Sequence, residues 1–396
     1  MRFESRWLPA VAVALAVAPA SAQIAVSSND NKVNLVNGVV KIVADPKPDT
    51  VTVIDLKASP PKVIGEVEAP GSVVGPPFSV AITPDESLAL VTSSQKVDPA
   101  DPTKTVADNR VSVIDLRAKP PAVIATLEAG KGASGVSINR QGTLALVANR
   151  NAGSISIFTI EGKTVSAAGT LALGDEKSGV SHVAISPDGK TALATRDGDD
   201  RISVLSIDGT KVEYTKRDIY AGLRPYGVDI SSDGKVAVVA NIGKGGGDID
   251  TVSVIDLESK PPRVVETTTV GGQTPEGIKI SPDGKLAGVV VVNGSNKAKE
   301  FPFYNDGGKL VLFKVAGKSL KKIGEAPIGH WSQGVLFTPD SKTILVGNMV
   351  EKNLTVFRFD GSKLRQTGSI PVKGGPVAVR LADKPVAVRL ADNPKQ

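Results

Sequence analysis

A turn of the form Ser-Pro-Asp-Gly, flanked on both sides by alternating apolar and polar residues, is the feature that most constrains this chain. It stands complete at Ser186 and Ser281, and its counterparts begin at Ser28 (SNDNKVNL), Thr83 (TPDESLAL), Asn139 (NRQGTLAL), Ser231 (SSDGKVAV) and Thr338 (TPDSKTIL). The seven turns follow one another at intervals of 55, 56, 47, 45, 50 and 57 residues. A second motif keeps step: DTVTVIDL at Asp49, NRVSVIDL at Asn109, GSISIFTI at Gly153, DRISVLSI at Asp200, DTVSVIDL at Asp250, GKLVLFKV at Gly308 and KNLTVFRF at Lys352. Each copy is a β-branched run of period two, the pattern of a strand half buried between two layers.

A unit of this length holds about four strands, and one four-stranded sheet cannot bury both of its faces alone. Stacking seven such sheets radially around a channel does, so the expectation is an all-β, seven-bladed β-propeller with four-stranded antiparallel blades. The 40 glycines, 27 prolines and only 4% aromatic residues suit short strands and tight turns. An inner strand precedes each turn (PPFSVAI, GASGVSI, GVSHVAI, RPYGVDI, TPEGIKI, WSQGVLF) except the first. The missing strand stands at the other end, as GPVAVRL from Gly375 to Leu381. The C-terminus is therefore expected to supply the inner strand of the N-terminal blade, closing the ring and removing its open edges. PVAVRLAD occurs twice, at Pro376–Asp383 and Pro385–Asp392, and only one copy is needed as the clasp.

Arg2 and Arg6 precede an apolar run from Leu8 to Ala20, and Ala20-Ser21-Ala22 has the small-x-small form of a signal-peptidase site. Residues 1–22 read as a secretory signal, 23–383 as the propeller and 384–396 as a duplicated tail. A periplasmic or secreted protein without membrane insertion is expected. With no cysteine, the chain has no disulfide, thiolate metal ligand, cysteine nucleophile or covalent c-type haem. The two histidines leave little for a copper or zinc site, so neither metal nor cofactor is expected. Net charge is +6 with both signs interspersed and no basic run, which argues against a nucleic-acid partner. A monomer is expected.

The motifs S-P-D-G-K, V-x-N and T-V-S-V-I-D-L, in this order over nearly all of the mature chain, resemble the YVTN-repeat family of seven-bladed propellers. That family borders the lactonase propellers, which share the same turn. The resemblance implies the architecture and leaves the activity open, because the fold carries binding proteins, enzymes and electron-transfer subunits alike.

Label the strands of a blade A to D from the channel outward. The Pro-Asp-Gly turns join A to B on one face, the bottom, and serve the backbone. Loops entering A and leaving B collect on the top. After strand B an asparagine recurs (Asn37, Asn149, Asn241, Asn293, Asn348, with Thr92 and Thr195 in the other blades), and it is read as bonding the turn it starts. Five places before each A–B turn stand Phe78, Ser134, Ser181, Tyr226, Glu276, Gln333 and Val377. Arg150, Arg196, Arg224, His330 and Trp331 join the same face from the adjoining loops. Together with Tyr226 and Gln333 they form the candidate site for a small-molecule or protein ligand. The loop from Asn293 to Gly308 is read as an apolar plug against a neighbouring blade. Four places before the turns stand Ser79, Gly135, His182, Gly227, Gly277, Gly334 and Ala378. Six are small, so His182 breaks the rule and is expected to point into the channel, within reach of polar groups from the top rim, as a group titrating near neutral pH. Three functions fit: an exported binding or scaffold propeller; a lactonase-like hydrolase with His182 or Glu276 as general base and arginines holding an oxyanion; and single-stranded nucleic acid binding.

Overall fold

The computed structural model describes residues 24–43 and 45–383. The proposed signal and the second PVAVRLAD copy lie outside them. Among the described residues there is no helix, and seven four-stranded antiparallel sheets form the ring of a β-propeller. In blade 4, for example, Val180–Ile185, Thr191–Arg196, Arg201–Asp208 and Lys211–Ile219 run outward from the channel in chain order. Strands B and C are buried along their length, while strand D alternates towards solvent. That gradient is why the second motif is so apolar and the outermost strands are not.

Blade 1 closes the ring as expected. Gly375–Leu381 pairs with Ile24–Asp30, which pairs in turn with Thr50–Asp55 and then Lys62–Glu68. The same closure corrects two details. A blade whose inner strand comes from the other end of the chain has no covalent A–B turn, so the segment at Ser28 is not one. Ser28 lies inside strand B, paired with Val51 and Ala378. The asparagine after strand B in this blade is accordingly Asn29, whose amide donates to Thr50 and Thr52. Asn37 instead tips an extra hairpin, Val33–Val36 with Val39–Ile42.

The inner strands crowd around the axis, and the small residues four places before each turn are where they touch. A Cβ on Gly277 would come within 2.3 Å of the Gln333 carbonyl oxygen, and one on Gly334 within 2.6 Å of the Val379 nitrogen. Both positions need glycine because the neighbouring backbone fills the space of a side chain. Just above them, the inner strands of blades 3 to 7 each slip register against strand B. A bulge of this kind re-aims a side chain. Here it brings the residues five places before the turn to the channel mouth.

The channel is not open from end to end. The connection from blade 1 to blade 2, Gly71 to Phe78, dips into it. Asp30, Lys32 and Asp49 anchor its start: Val73 N donates to Asp30, Gly71 N to Asp49, and Lys32 Nζ to the Gly71 carbonyl. Phe78 reaches across the channel, stacks on His182 of blade 4 at 3.9 Å and leaves no room for a Cβ on Gly227 of blade 5. Above it, Val73 and Val74 pack with Val33, Ile42, Trp331, Met349 and Val377 into an apolar roof over one sector of the top face.

Candidate functional site

The polar sector of the top mouth spans blades 3 to 6, and its hub is Asp197 at the end of strand B in blade 4. Its carboxylate is almost fully buried and receives both terminal nitrogens of Arg150 (2.5 and 2.9 Å), Arg224 Nη2 (3.0 Å) and the Ser181 hydroxyl. Burial alone would raise its pKa. Arg150, Ser181 and Arg224 outweigh that and hold it below the usual carboxylate range. Sequence reading takes Asp197 as part of a solvated DGDDR loop (Asp197 to Arg201); the signal available was its place directly after strand B, in a blade with threonine where others have asparagine.

Arg150 also lies over the Tyr226 ring, 5.7 Å from its centre. Burial raises the Tyr226 phenol, so it stays protonated. Next to it around the ring is Glu276. This carboxyl keeps some exposure at the mouth, yet desolvation raises it to about 7, partly offset by the Gln333 amide and by Arg224. Gln333 is 1% exposed, and neither of its amide atoms has a well-formed hydrogen bond among the described residues.

The backbone adds a second observation at Arg224. Seven places before the A–B turn, Gly132 and Gly179 take φ of 73° and 60°. The equivalent residues of blades 5, 6 and 7 are Arg224, Thr274 and Trp331, at 55°, 58° and 48°. A side chain in this region costs on the order of 1 kcal/mol. Blade 5 carries that cost and places a guanidinium where blades 3 and 4 have only glycine.

The structure thus brings Arg150, Arg224, Tyr226, Glu276 and Gln333 together and sets the other candidates apart. Arg196 turns outward to Asp199, Ser203 and Asp218 and is 8% exposed. Trp331 is part of the apolar roof. His330 sits at the rim between Glu351 (2.7 Å) and Asp306 (3.0 Å); burial lowers its pKa, but the two carboxylates prevail and raise it. The Asn293–Gly308 loop leans on blade 5, where Phe303 covers Gly247, and meets the tip of the extra hairpin at Asn37 and Gly38.

His182 does face the channel axis, but not the top mouth. Its Nδ1 accepts a hydrogen bond from Val228 N (3.3 Å), and Phe78 separates it from the residues above. Its charged neighbours belong to the bottom mouth, where burial first, then Arg380 and Lys279, hold its pKa well below the ordinary value. It is a neutral imidazole, which corrects the expectation of a group titrating near neutrality.

The recurring asparagines serve the fold: Asn149 and Asn348 accept the backbone N–H of Gly130 and Gly329, and Asn241 donates to the Ala221 carbonyl. Asn149, Asn241 and Asn348 each donate to two side chains of strand C, and Thr195 bridges to the Tyr226 carbonyl at 2.8 Å. Asp200 and Asp250 accept the backbone N–H of Arg224 and Thr274, fixing the loops that enter blades 5 and 6. Among the described residues, no three His, Asp or Glu side chains converge as metal ligands would.

No protein-family model and no curated sequence matches the chain. Its likeness is to solved structures. A protein provisionally named 6-phosphogluconolactonase from Bacteroides uniformis superposes with a TM-score of 0.68 at 18% identity, over 91% of this chain and 100% of its own. One of the same provisional name from Bacteroides fragilis gives 0.67 at 18%, over 92% and 99%. The periplasmic gluconolactonase of Pseudomonas aeruginosa gives 0.66 at 19%, over 91% and 99%. The chain is a seven-bladed β-propeller with lactonases among its structural neighbours.

Proposed function

We propose that the top mouth hydrolyses a small lactone carrying hydroxyl or anionic groups, with Glu276 as general base. The observation that carries the reading is a carboxyl raised to about 7, accessible from the mouth and close to Arg224. A base poised near the working pH combines the ionised form with useful basicity. In this reaction Glu276 takes a proton from water as the water oxygen bonds to the lactone carbonyl carbon. Arg224, with Arg150 beside it, stabilises the oxyanion that forms. The ring C–O bond then breaks and the leaving alkoxide recovers the proton from Glu276, giving a hydroxy acid. The Gln333 amide, which has no well-formed hydrogen bond among the described residues, and the Tyr226 hydroxyl would bind substrate hydroxyls. The lactonase neighbours support this choice of reaction, and the periplasmic one supports an exported protein.

A second reading, binding without turnover, is favoured by the closed pairing of Arg150 and Arg224 on Asp197, which leaves their guanidinium groups partly occupied. One experiment separates the two: purified protein against a panel of aldonolactones and phosphorylated aldonolactones, followed by pH-stat. Turnover with kcat/KM rising through an apparent pKa near 7, and falling by about 10²–10⁴ in Glu276→Gln, supports hydrolysis. Thermal stabilisation by a lactone without turnover supports binding alone.

A further inference from the structure

The bottom mouth carries a cluster that the lactone chemistry does not use. Two places before the A–B turns, blades 5, 6 and 1 present Asp229, Lys279 and Arg380 to the axis, and Arg140 joins them from the turn of blade 3. With His182 and Asp383 they line a cavity of about 40 Å³. Its charges do not balance. Lys279 takes up Asp229 at 2.9 Å and shares Asp383 at 3.2 Å, and Asp229 is further occupied by the Ile280 N–H. Arg380 reaches Asp383 with one nitrogen only, at 3.4 Å, while its other terminal nitrogen is buried with no partner among the described residues. Arg140 donates to the Ser232 carbonyl and forms no ion pair among the described residues. Three cations thus face two carboxylates, one of which, Asp383, is 45% exposed at the rim.

We propose that this cavity is a binding site for one small anion, a halide or a simple carboxylate, held by Arg380, Arg140 and Lys279. Arg380 also lies over the Phe78 ring, 5.1 Å from its centre, which leaves its buried Nη1 without an acceptor, and a native unsatisfied donor calls for a partner. Water would satisfy the hydrogen bond but not the charge; an anion does both. The size fits the class: the cavity's 40 Å³ compares with the roughly 10–15 Å³ that holds one water on the same measure, which is room for chloride or a simple carboxylate. Burial first, and then the charges of Arg380 and Lys279, hold the His182 pKa down, in keeping with the positive potential of these side chains. Because Arg380 belongs to the clasp strand and Arg140, Lys279 and His182 to blades 3, 6 and 4, the anion ties the closing strand to the far side of the ring.

Bromide and chloride are the probes. Crystals of the full chain soaked in sodium bromide are expected to show an anomalous peak within hydrogen-bond reach of Arg380. In solution, sodium chloride, compared with sodium HEPES of equal ionic strength, should raise Tm saturably, on the order of several degrees. Arg380→Gln and Arg140→Gln should both abolish that rise. Arg140 lies outside the clasp strand, so its variant keeps the test decisive if Arg380→Gln weakens ring closure. Bromide found only on outer surfaces, or the same chloride-dependent Tm gain in Arg140→Gln, overturns the site. Lactone turnover reports on the top mouth alone and leaves this result unaffected.

Discussion

The two mouths of the channel are built by the same seven inner strands, three residues apart along each, yet they handle charge in opposite ways. At the top, Arg150 and Arg224 share Asp197, and Glu276 adds a carboxyl that is half protonated near neutrality. At the bottom, Arg140, Lys279 and Arg380 outnumber Asp229 and Asp383. Between them, the Phe78–His182 stack separates the two environments. The contrast shows that one repeated scaffold can carry two independent sites, provided something fills the channel between them. The arrangement depends on the ring, and the largest effect should come from opening it. A chain ending before Lys373 loses the strand paired to Ile24–Asp30 and leaves a row of backbone donors and acceptors unpaired at the axis. It should not show a cooperative thermal transition, whereas a chain ending at Asp383 keeps every described sheet and should melt like the full protein.

Breaking the partition is next in size. Phe78 is 2% exposed, and Phe78→Ala should cost about 3–5 kcal/mol, measured by urea denaturation. It should also join the two mouths, so that chloride binding at the bottom responds to Asp197→Asn at the top. A small loss of stability would mean that the stack is loosely packed and the sites are not insulated.

Much of this was legible in the sequence, and the limits have physical causes. Periodicity gave the blades, because strands B and C are buried for most of their length and are built almost wholly of small, aliphatic and β-branched residues. It gave the clasp, because a ring with one unpaired inner strand has only one remedy. It misplaced the first blade's turn, because SNDNKVNL has the composition of a turn while lying in a strand whose partner comes from the far end of the chain. The top site was half visible: Arg150, Arg224, Tyr226, Glu276 and Gln333 follow from strand polarity. Asp197 was missed because its neighbour Arg196 has the same loop address and opposite direction. His182 was found by its break with the repeat but given the wrong mouth. The Gly71–Phe78 connection that decides this fills the channel through long-range contacts, and no local pattern announces it.

A matched pair of substitutions sharpens the comparison further. Asp197→Asn leaves two guanidinium groups without their shared countercharge and should cost up to about 3 kcal/mol, because both arginines keep some solvent contact. Lactone kcat/KM should fall with it while chloride binding persists. Asp229→Asn frees Lys279 from its nearer partner and should tighten chloride binding without changing turnover. If either substitution moves both readouts alike, the mouths communicate and the Phe78 stack is not a barrier.

The smallest effect, and the most specific, is in the pH dependence of stability. Glu276 has its folded pKa raised, so between the unfolded value near 4.5 and about 7 the native state binds more protons than the unfolded chain. Stability contributed by the neutral carboxyl is therefore lost as pH rises through that window. His182 has its folded pKa lowered, so below the ordinary 6.5 the unfolded chain binds more protons, and stability is lost as pH falls. The two mouths thus pull in opposite directions. Glu276→Gln should remove the loss on the alkaline side of pH 4.5, and His182→Gln should remove the loss on the acid side of 6.5. Urea midpoints measured from pH 4 to 8 read both at once. His182→Gln loses the ring stack on Phe78, but that loss is the same at every pH, so a change in slope reports the proton and not the packing. An unchanged acid slope in His182→Gln would show that the imidazole gains its proton in the folded ring, and that the Arg380–Lys279 field at the bottom mouth is weaker than the geometry requires.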